Sequence, residues 1–323
     1  MDKKNVHLLL SVIVLFLILA GCGNQENSSP SHTPAAEENK RIVKHLKGET
    51  VIPDKLEKVV ALLPAYQDHI LALGEKPYGV TVEPQFGGSY IPYLADKLQG
   101  VEIVGESTNV NLEKILSLDP DLIFVDKFTA EEVYSQLEKI APTIVLGTES
   151  DEDYYNPDFW QEDLLKIAEV YGKVELAKEK IAALEQKTAD AREKIAKGEQ
   201  KKLAFLRIRQ KAVQIYPQTG HPMNSLLYEK LGFAPSALTD KTERGELSLE
   251  VIPQLDADYI FLQVDSSGGP DNLKQITESP LWKELDAVKN NRVFETDFWI
   301  YKSWGLIGRE EILNEVLTYL NLK

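Results

Sequence analysis

The most regular alternation of apolar and charged positions lies in residues 173–197. Apolar or small residues recur there at steps of three and four: Val174, Ala177, Ile181, Leu184, Thr188, Ala191 and Ile195. The segment contains no Gly or Pro, and its spacing predicts one amphipathic helix about 37 Å long at 1.5 Å per residue. A short coiled coil is an alternative. Ala and Thr in the stripe favour instead a helix that connects two bodies of one chain, since a self-associating seam prefers Leu and Ile.

The segments on either side of this helix repeat one another. Residues 111–125 and 248–262 align without gaps and agree at Leu, Glu, Ile, Leu, Asp, Asp, Ile and Phe. Each copy begins with a residue suited to capping, continues as a short helix with Glu in its first turn, breaks at Asp-x-Asp and ends in an apolar strand. An internal repeat of this kind predicts two similar lobes.

Strand and helix patterns alternate in both lobes. Short apolar runs predict buried strands at residues 58–63, 78–82, 102–104, 122–126, 143–146, 203–209, 212–216, 259–264 and 292–295. Such alternation is typical of a parallel α/β sheet. We therefore predict an α/β fold with two Rossmann-like α/β lobes, residues 40–165 and 199–323. One long connecting α-helix at residues 166–198 joins them, and the ligand cleft lies between the lobes.

Candidate ligand-binding residues lie where these strands end, because ligands of parallel sheets bind beyond the carboxyl ends of the strands. Tyr66 and Lys127 follow two strands of the first lobe, although a solvated loop would explain Lys127 equally well. Arg207 and Arg209 lie two residues apart in a strand of the second lobe, so their side chains share one side. Two guanidinium groups there favour an anion site, and a pair of Arg–carboxylate bridges is the alternative.

An aromatic segment, residues 297–305, lies before the last predicted helix. It is predicted as a loop, and its side chains belong either to the core or to the cleft wall. Lys302 and Trp304 are candidate cleft residues, with Trp304 favoured by the neighbouring Gly305.

The first 39 residues predict processing and tethering. Residues 1–22 combine a basic start, an apolar run too short to span a bilayer, and the sequence Leu-Ala-Gly-Cys that ends at Cys22. This sequence resembles a bacterial lipobox, which implies cleavage before Cys22 and lipid attachment; an incidental cysteine in an ordinary signal peptide is the alternative. Residues 23–39 are polar, contain two prolines and predict a flexible tether. We expect an extracytoplasmic protein held on the cell membrane by lipid alone.

The net charge and the absence of catalytic and metal-binding motifs restrict the classes of function that the sequence supports. The formal net charge of −15 argues against binding nucleic acid or lying on anionic lipid. Outside the leader and tether, His45, His69 and His221 lack the spacing of metal ligands. Cys22 is the only cysteine, and neither a phosphate-binding glycine loop nor a Gly-x-Ser-x-Gly motif occurs. We therefore expect a binding protein rather than an enzyme, with no cofactor and no directly bound metal.

With these features, the chain from residue 52 onward resembles the helical-backbone class of bacterial substrate-binding proteins, which deliver ferric siderophores, haem or cobalamin to ABC importers. The most specific motif is Asn-Leu-Glu at 111–113 with Asp-Pro-Asp-Leu-Ile at 119–123, together with its copy in the second lobe. The resemblance implies that Glu113 and Glu250 lie at the outer tips of the lobes and pair with arginines of the permease. A glutamate that interacts only with a helix dipole is the alternative.

The resemblance also implies a ligand and partners. Arg207 and Arg209 are similar to the arginine pair with which siderophore receptors hold catecholate or citrate-type ferric complexes, and Lys127 and Arg244 would contribute. The chelator supplies all the iron ligands, so the protein itself needs none. The expected partners are a ferric siderophore and an ABC permease of two membrane subunits with a cytoplasmic ATPase, and the chain is expected to act as a monomer.

Other functions stay open. Haem-binding relatives use Met or His as an axial ligand, which leaves His221 and Met223 as candidates. Cobalamin receptors depend more on aromatic side chains than on paired arginines. A surface lipoprotein with a non-transport role, such as an adhesin, is a further alternative. So is a chelatase-like enzyme, against which the lipobox and the missing nucleophile argue.

Overall fold

The computed structural model describes residues 41–84, 88–148, 150, 156, 158–197 and 201–322. The predicted signal sequence, the tether and the lipidation site Cys22 lie outside these residues and stay predictions. Among the described residues, every helix is too short or too polar to cross a membrane.

The N-terminal lobe is built on a six-stranded sheet. Its elements in chain order are β1 (Arg41–His45), β2 (Gly48–Ile52), β3 (Val59–Ala61), α1 (Pro64–Ala72), β4 (Gly79–Val82), α2 (Ala95–Leu98), β5 (Glu102–Glu106), β6 (Asn109–Val110), α3 (Leu112–Leu118), β7 (Leu122–Asp126), α4 (Lys127–Leu137) and β8 (Thr143–Leu146). The sheet order is β6-β5-β4-β3-β7-β8, and only the β5–β6 pair is antiparallel. β1 and β2 form a separate antiparallel hairpin. The carboxyl ends of the parallel strands therefore meet at one edge of the sheet.

Two helices connect the lobes. α5 (Phe159–Tyr171) ends at Gly172, whose φ of 67° lies in the left-handed region, and α6 (Val174–Ala196) follows. Glycine adopts this conformation without Cβ strain and therefore ends helices. The connecting helix predicted at 166–198 is thus divided at this glycine. The apolar stripe of α6 is buried at Ala177, Ile181, Leu184, Ala191 and Ile195, and α6 contacts both α5 and the C-terminal lobe. The stripe is used within the chain.

The C-terminal lobe contains a second six-stranded sheet. Its elements are β9 (Lys202–Ile208), β10 (Val213–Ile215), α7 (Pro222–Asn224), a π-helical segment (Ser225–Lys230), β11 (Ala234–Pro235), β12 (Gly245–Leu247), β13 (Tyr259–Val264), α8 (Gly269–Glu278), α9 (Pro280–Lys283), α10 (Asp286–Lys289), β14 (Val293–Glu295), α11 (Trp299–Lys302) and α12 (Leu306–Tyr319). The order is β12-β10-β9-β13-β14, with β11 also paired to β9. β9, β13 and β14 are parallel, whereas β10 is antiparallel to β9 and to β12.

One apolar core extends through both lobes. It includes Tyr66 and Ile70 of α1, Leu184 of α6, Phe205 of β9 and Leu313 of α12. A further apolar layer in each lobe packs separately from this core. Direct packing of the lobes on each other, as well as through α6, opposes a wide hinge motion because opening would expose apolar surface.

Asp68 of α1 is a polar contact inside this shared core. Its carboxylate accepts hydrogen bonds from the backbone N–H groups of Ile307 and Gly308, at 2.8 and 2.9 Å, and from the Tyr93 hydroxyl at 2.9 Å. An N-terminal-lobe side chain thereby caps α12 of the other lobe. Burial raises the pKa of Asp68 to about 7, although the three donors act in the opposite direction. At Gly305 a Cβ atom would lie 2.2 Å from the Asp68 carboxyl carbon, so this close approach requires glycine.

Three helices differ from the sequence prediction. α4 begins at Lys127 because the Asp126 side chain caps it, accepting from the N–H groups of Phe128 and Thr129. α8 begins at Gly269, the second residue of a glycine pair that suggests a loop, and α11 occupies part of the predicted loop 297–305. In the second repeat copy, the predicted helix is replaced by a turn and a 3-10 helix at Ile252–Gln254. Pro253 explains this difference, since proline has no N–H to donate to a preceding helical turn.

Candidate functional site

A cavity of about 250 Å³ lies at the carboxyl edge of the N-terminal sheet. Tyr66 follows β3 and Lys127 follows β7, as predicted, and both line it. Its other aromatic side chains are Phe128 of α4, Phe159 of α5, and Tyr301 and Trp304, which belong to the C-terminal lobe. The cavity is therefore bounded by both lobes, as the predicted cleft requires.

Three carboxyl groups also line this cavity: Glu83, Asp126 and Asp163. Burial raises the pKa of Asp163 to about 7, and the nearby carboxylates Glu162 and Asp126 add to the shift, although the Gly147 N–H donates to Asp163 at 3.0 Å. Burial likewise raises the pKa of Glu83. The N-terminal wall therefore gains negative charge as the pH rises through neutrality.

The C-terminal wall carries the predicted arginines. Arg207, near the end of β9, donates from Nε to Asp265 Oδ1 at 2.8 Å, and Arg209 Nε lies 3.7 Å from Asp265 Oδ2. The shared acceptor shows that both side chains lie on one side, as predicted. Arg244 lies over the Tyr216 ring, 4.2 Å from its centre. Three guanidinium groups with one paired carboxylate give this wall a net positive charge.

The two walls face each other across Tyr301. Burial raises the pKa of Tyr301 to about 12; Glu83 of one wall raises it further, and Arg207 of the other wall lowers it. Ring contacts connect Tyr216 to the cavity, since His221 packs edge-on against Tyr216 at 5.9 Å and against the cavity-lining Trp304 at 5.4 Å. Tyr66, Lys127 and Trp304 therefore line one cavity, whereas Arg207, Arg209 and Arg244 gather around Asp265 and Tyr216 in the C-terminal lobe.

Lys302 does not belong to this group. Its side chain is only 2% exposed, and its Nζ lies 2.8 Å from Glu315, 3.0 Å from Glu311 and 3.2 Å from Asp297. Contrary to the sequence prediction, Lys302 is committed to a carboxylate cluster. Its position in α11 rather than in a loop explains the difference, because the helix directs this side chain inward.

The residues considered for haem are also engaged in the fold. Met223 is fully buried in the shared core. The Nδ1 atom of His221 accepts from the Met223 N–H at 3.2 Å and caps α7. Burial, together with Arg244, Arg207 and Arg309, lowers the pKa of His221 to about 3. Within the described part of the chain, His, Cys, Asp and Glu side chains form no group of three that could hold a metal ion.

Glu113 and Glu250 are both exposed. Glu113 lies in the first turn of α3, which Asn111 caps by accepting from the Lys114 N–H at 2.9 Å. Glu250 lies in the turn that replaces the second helix, where its own backbone N–H and the Ser248 hydroxyl lower its pKa. Each glutamate has an exposed leucine nearby: Leu116 is 61% exposed and Leu249 is 43% exposed.

Sequence reasoning missed several cleft residues. Asp265 directly follows β13, so the rule that selected Lys127 would have found it. Tyr301 lay within the aromatic segment but was not singled out. The Tyr216 ring stacks under the Arg244 guanidinium group, and its hydroxyl lies 3.5 Å from Arg207 Nη1. No sequence pattern pointed to Tyr216, because these partners are distant along the chain.

Comparisons with known proteins cover both lobes. A family model described as periplasmic binding protein matches residues 59–298. The chain is similar to the probable siderophore-binding lipoprotein YfiY of Bacillus subtilis, with 30% identity over 98% of each chain. It is also similar to the iron(3+)-hydroxamate-binding protein FhuD of that organism, with 30% identity over 95% of each. The structure of Staphylococcus aureus SirA complexed with staphyloferrin B has a TM-score of 0.69 and 27% identity, over 88% of this chain and 99% of that one.

Proposed function

Because the chain belongs to the periplasmic binding protein family, we propose that it captures a ferric siderophore between its lobes and delivers it to an ABC importer. The observation that carries this proposal is the cluster of Arg207, Arg209 and Arg244 at the cleft of a chain with a formal net charge of −15. An acidic protein that gathers cations at one wall is suited to an anionic ligand.

The chemistry of the cleft suits a chelated iron. Arginine offers planar pairs of N–H donors to carboxylate or phenolate oxygens and stacks on aromatic rings. Tyr66 and Trp304 supply aromatic surface in the cavity. A siderophore fills the coordination sphere of its own iron, so the protein needs to recognise only the outside of the complex. Lys127, at the start of α4, adds a cation to the otherwise acidic N-terminal wall.

The proposal includes an anchor and a docking surface. Cys22 would carry the lipid that holds the receptor on the extracytoplasmic face of the membrane, with residues 23–39 as the tether. Glu113 and Glu250 would pair with arginines of the permease. The exposed Leu116 and Leu249 beside them add apolar contact area to each docking point.

Tryptophan fluorescence during ligand titration tests this function. The panel consists of a ferric catecholate, a ferric hydroxamate, ferric citrate, haem and cobalamin, each added to the full chain in detergent. We expect saturable quenching by one class of ferric complex, because Trp304 lines the cleft. Quenching should be lost when Arg207 and Arg209 are both replaced by Ala.

The matched control is Arg292→Ala, which removes an exposed arginine that stacks on Tyr259 outside the cleft. This variant should bind as the wild type does. Binding of haem alone would replace the siderophore with haem as the ligand. No response to any member of the panel would contradict the proposal and favour a non-transport lipoprotein.

A further inference from the structure

A second cavity lies between α5, α6 and the C-terminal lobe. Its volume is about 210 Å³, and its walls include Trp160 of α5, Arg192 of α6, Lys230 at the end of the π-helical segment and Arg309 of α12. It shares no lining residue with the cleft cavity. The two connecting helices and the C-terminal lobe therefore border a pocket separate from the proposed siderophore site.

Arg309 is a buried cation in this pocket. It is 3% exposed, and its guanidinium carbon lies 4.9 Å from the centre of the Trp160 ring. Its Nη1 donates to the backbone carbonyls of Ser303 and Pro222, at 3.0 and 3.4 Å. Within the described ranges, Nε and Nη2 make no hydrogen bond and no carboxylate forms an ion pair with Arg309. Burial lowers the pKa of Arg309 to about 10, although the charge of Asp158 acts in the opposite direction.

Lys302 shows how this protein treats another buried cation. Lys302 lies in α11, the helix that precedes α12. Three carboxylates surround its Nζ atom at distances of 2.8 to 3.2 Å. A buried charge without an opposite charge is costly, and proteins pair such groups or leave them to bind a ligand. In contrast to Lys302, Arg309 is a buried cation with which no described carboxylate forms an ion pair, although Asp158 lies close enough to act on it electrostatically.

The other charged groups at the pocket do not supply it. Asp158 pairs with Lys230 at 2.8 Å, and Glu185 accepts from the Gln161 amide at 3.0 Å. Arg192 donates to the Glu229 backbone carbonyl at 3.1 Å. The buried indole Nε1 of Trp160 has no acceptor among the described side chains and backbone groups. The pocket therefore has unused N–H donors at Arg309, a buried and unpaired indole N–H at the neighbouring Trp160, and three cations against two carboxylates.

We propose that this pocket binds a small oxyanion, either a carboxylate or inorganic phosphate, on the guanidinium group of Arg309. The planar N–H pair formed by Nε and Nη2 matches two oxygen atoms of one anion. Arg192 and Lys230 at the wall add long-range attraction. Since α5, α6 and α12 all contribute to the pocket, a bound anion contacts the connecting helices and the C-terminal lobe together.

The indole N–H signal of Trp160 in a nitrogen-15 NMR spectrum provides a local readout. Full-length protein is titrated with sodium acetate, with sodium phosphate and, as a salt control, with sodium chloride. The signal is assigned by its loss in Trp160→Phe. We expect a saturable shift with acetate, phosphate or both, and the anion that produces it distinguishes a carboxylate site from a phosphate site.

Arg309→Met should weaken this binding at least tenfold, because it removes the charge and the N–H pair. Arg309→Lys, which keeps the charge but loses the planar pair, serves if the Met variant does not fold. Arg292→Met is the matched control for the same replacement outside the pocket and should titrate as the wild type does. The proposal is overturned if no saturable shift occurs, if chloride produces the same shift, or if the Arg309 variants bind acetate and phosphate normally.

Discussion

The two walls of the cleft carry opposite charge, although both come from similar lobes. The N-terminal wall holds three carboxyl groups, Glu83, Asp126 and Asp163, with Lys127 beside them. The C-terminal wall holds three guanidinium groups, of which two share the single carboxylate of Asp265. A repeated fold has therefore been given two different surfaces at equivalent edges of its sheets.

This difference in charge indicates that the C-terminal wall would recognise an anionic ligand. In the proposed function, the arginines would attract the charged part of the ligand, whereas the acidic wall would repel it. The accessibility of a cation also matters more than its presence in the sequence. Arg209 has a side chain 52% exposed, whereas Lys302 is 2% exposed and already surrounded by carboxylates.

The largest expected effect is a loss of stability on replacing Lys302, which would show that this residue supports the fold and not the cleft. Lys302→Met should lower the free energy of unfolding by about 2–3 kcal/mol, because it leaves Glu315, Glu311 and Asp297 to repel one another. The value lies below that of a fully buried pair because these carboxylates are partly exposed. Urea denaturation measures the change, and siderophore affinity at native conditions should stay unchanged.

Lys289→Met is the matched control, since Lys289 forms an exposed bridge to Glu284 at 2.8 Å. Both partners are solvent-exposed, so the loss of this bridge should change the stability little. If Lys302→Met reduced siderophore affinity without reducing stability, Lys302 would belong to the cleft as the sequence predicted.

The second prediction concerns the unequal contributions of Arg207 and Arg209 to siderophore affinity. Arg207→Ala should cost about 1.5–3 kcal/mol of siderophore binding, because Asp265 and Tyr216 hold this guanidinium in place and charged hydrogen bonds are strong. Arg209→Ala should cost less, about 1 kcal/mol, because its side chain is half exposed and must be ordered on binding. Fluorescence titration of both single variants measures the difference. Equal losses would show that the pre-ordering of Arg207 has no effect.

A smaller effect tests the acidic wall. As Asp163 ionises near its pKa of about 7, the wall becomes more negative, so affinity for an anionic siderophore should fall by roughly threefold between about pH 6 and about pH 8. Asp163→Asn, which cannot ionise, should reduce this dependence. Titrations at the two pH values measure it, and an unchanged dependence in the variant would exclude Asp163 as its source.

The same group affects stability in a defined direction. The unfolded chain releases the Asp163 proton near 3.8 and the folded chain near 7, so the folded state binds more protons between these values. The stability contributed by this proton is complete below pH 3.8 and is lost as the pH rises through 7. Urea denaturation of Asp163→Asn should therefore show a weaker decline over this range.

The smallest change in siderophore affinity is expected on replacing Glu113 and Glu250. Glu113→Gln with Glu250→Gln should leave siderophore affinity unchanged, because both side chains are exposed and neither lines the cleft cavity. Siderophore-dependent iron uptake by cells should fall severalfold if these residues dock on the permease. The control is Glu284→Gln, another exposed glutamate. Normal iron uptake in the double variant would contradict the proposal that these glutamates dock on the permease.

Local patterns alone predicted much of the fold. β8 and β13 have the predicted bounds, since buried strands of parallel sheets appear as continuous apolar runs. The buried stripe of α6 was readable because helix periodicity is set by backbone geometry. The rule that ligands bind at carboxyl strand ends placed Tyr66 and Lys127 at a cavity, because this rule depends on topology, which the alternation of strands and helices determines. Their contact with a ligand stays a prediction.

Only the tertiary structure decided which side chains were accessible. Sequence proximity grouped Lys302 with Trp304, but α11 turned the lysine towards three carboxylates and left the tryptophan at the cavity. Tyr216, Asp265 and Arg309 gained their roles from residues far along the chain. Burial and electrostatic pairing are sums over neighbours in space, so a local pattern cannot contain them. For this reason the sequence determined the lobes and their cleft, and the packing of those lobes determined the charge of each wall.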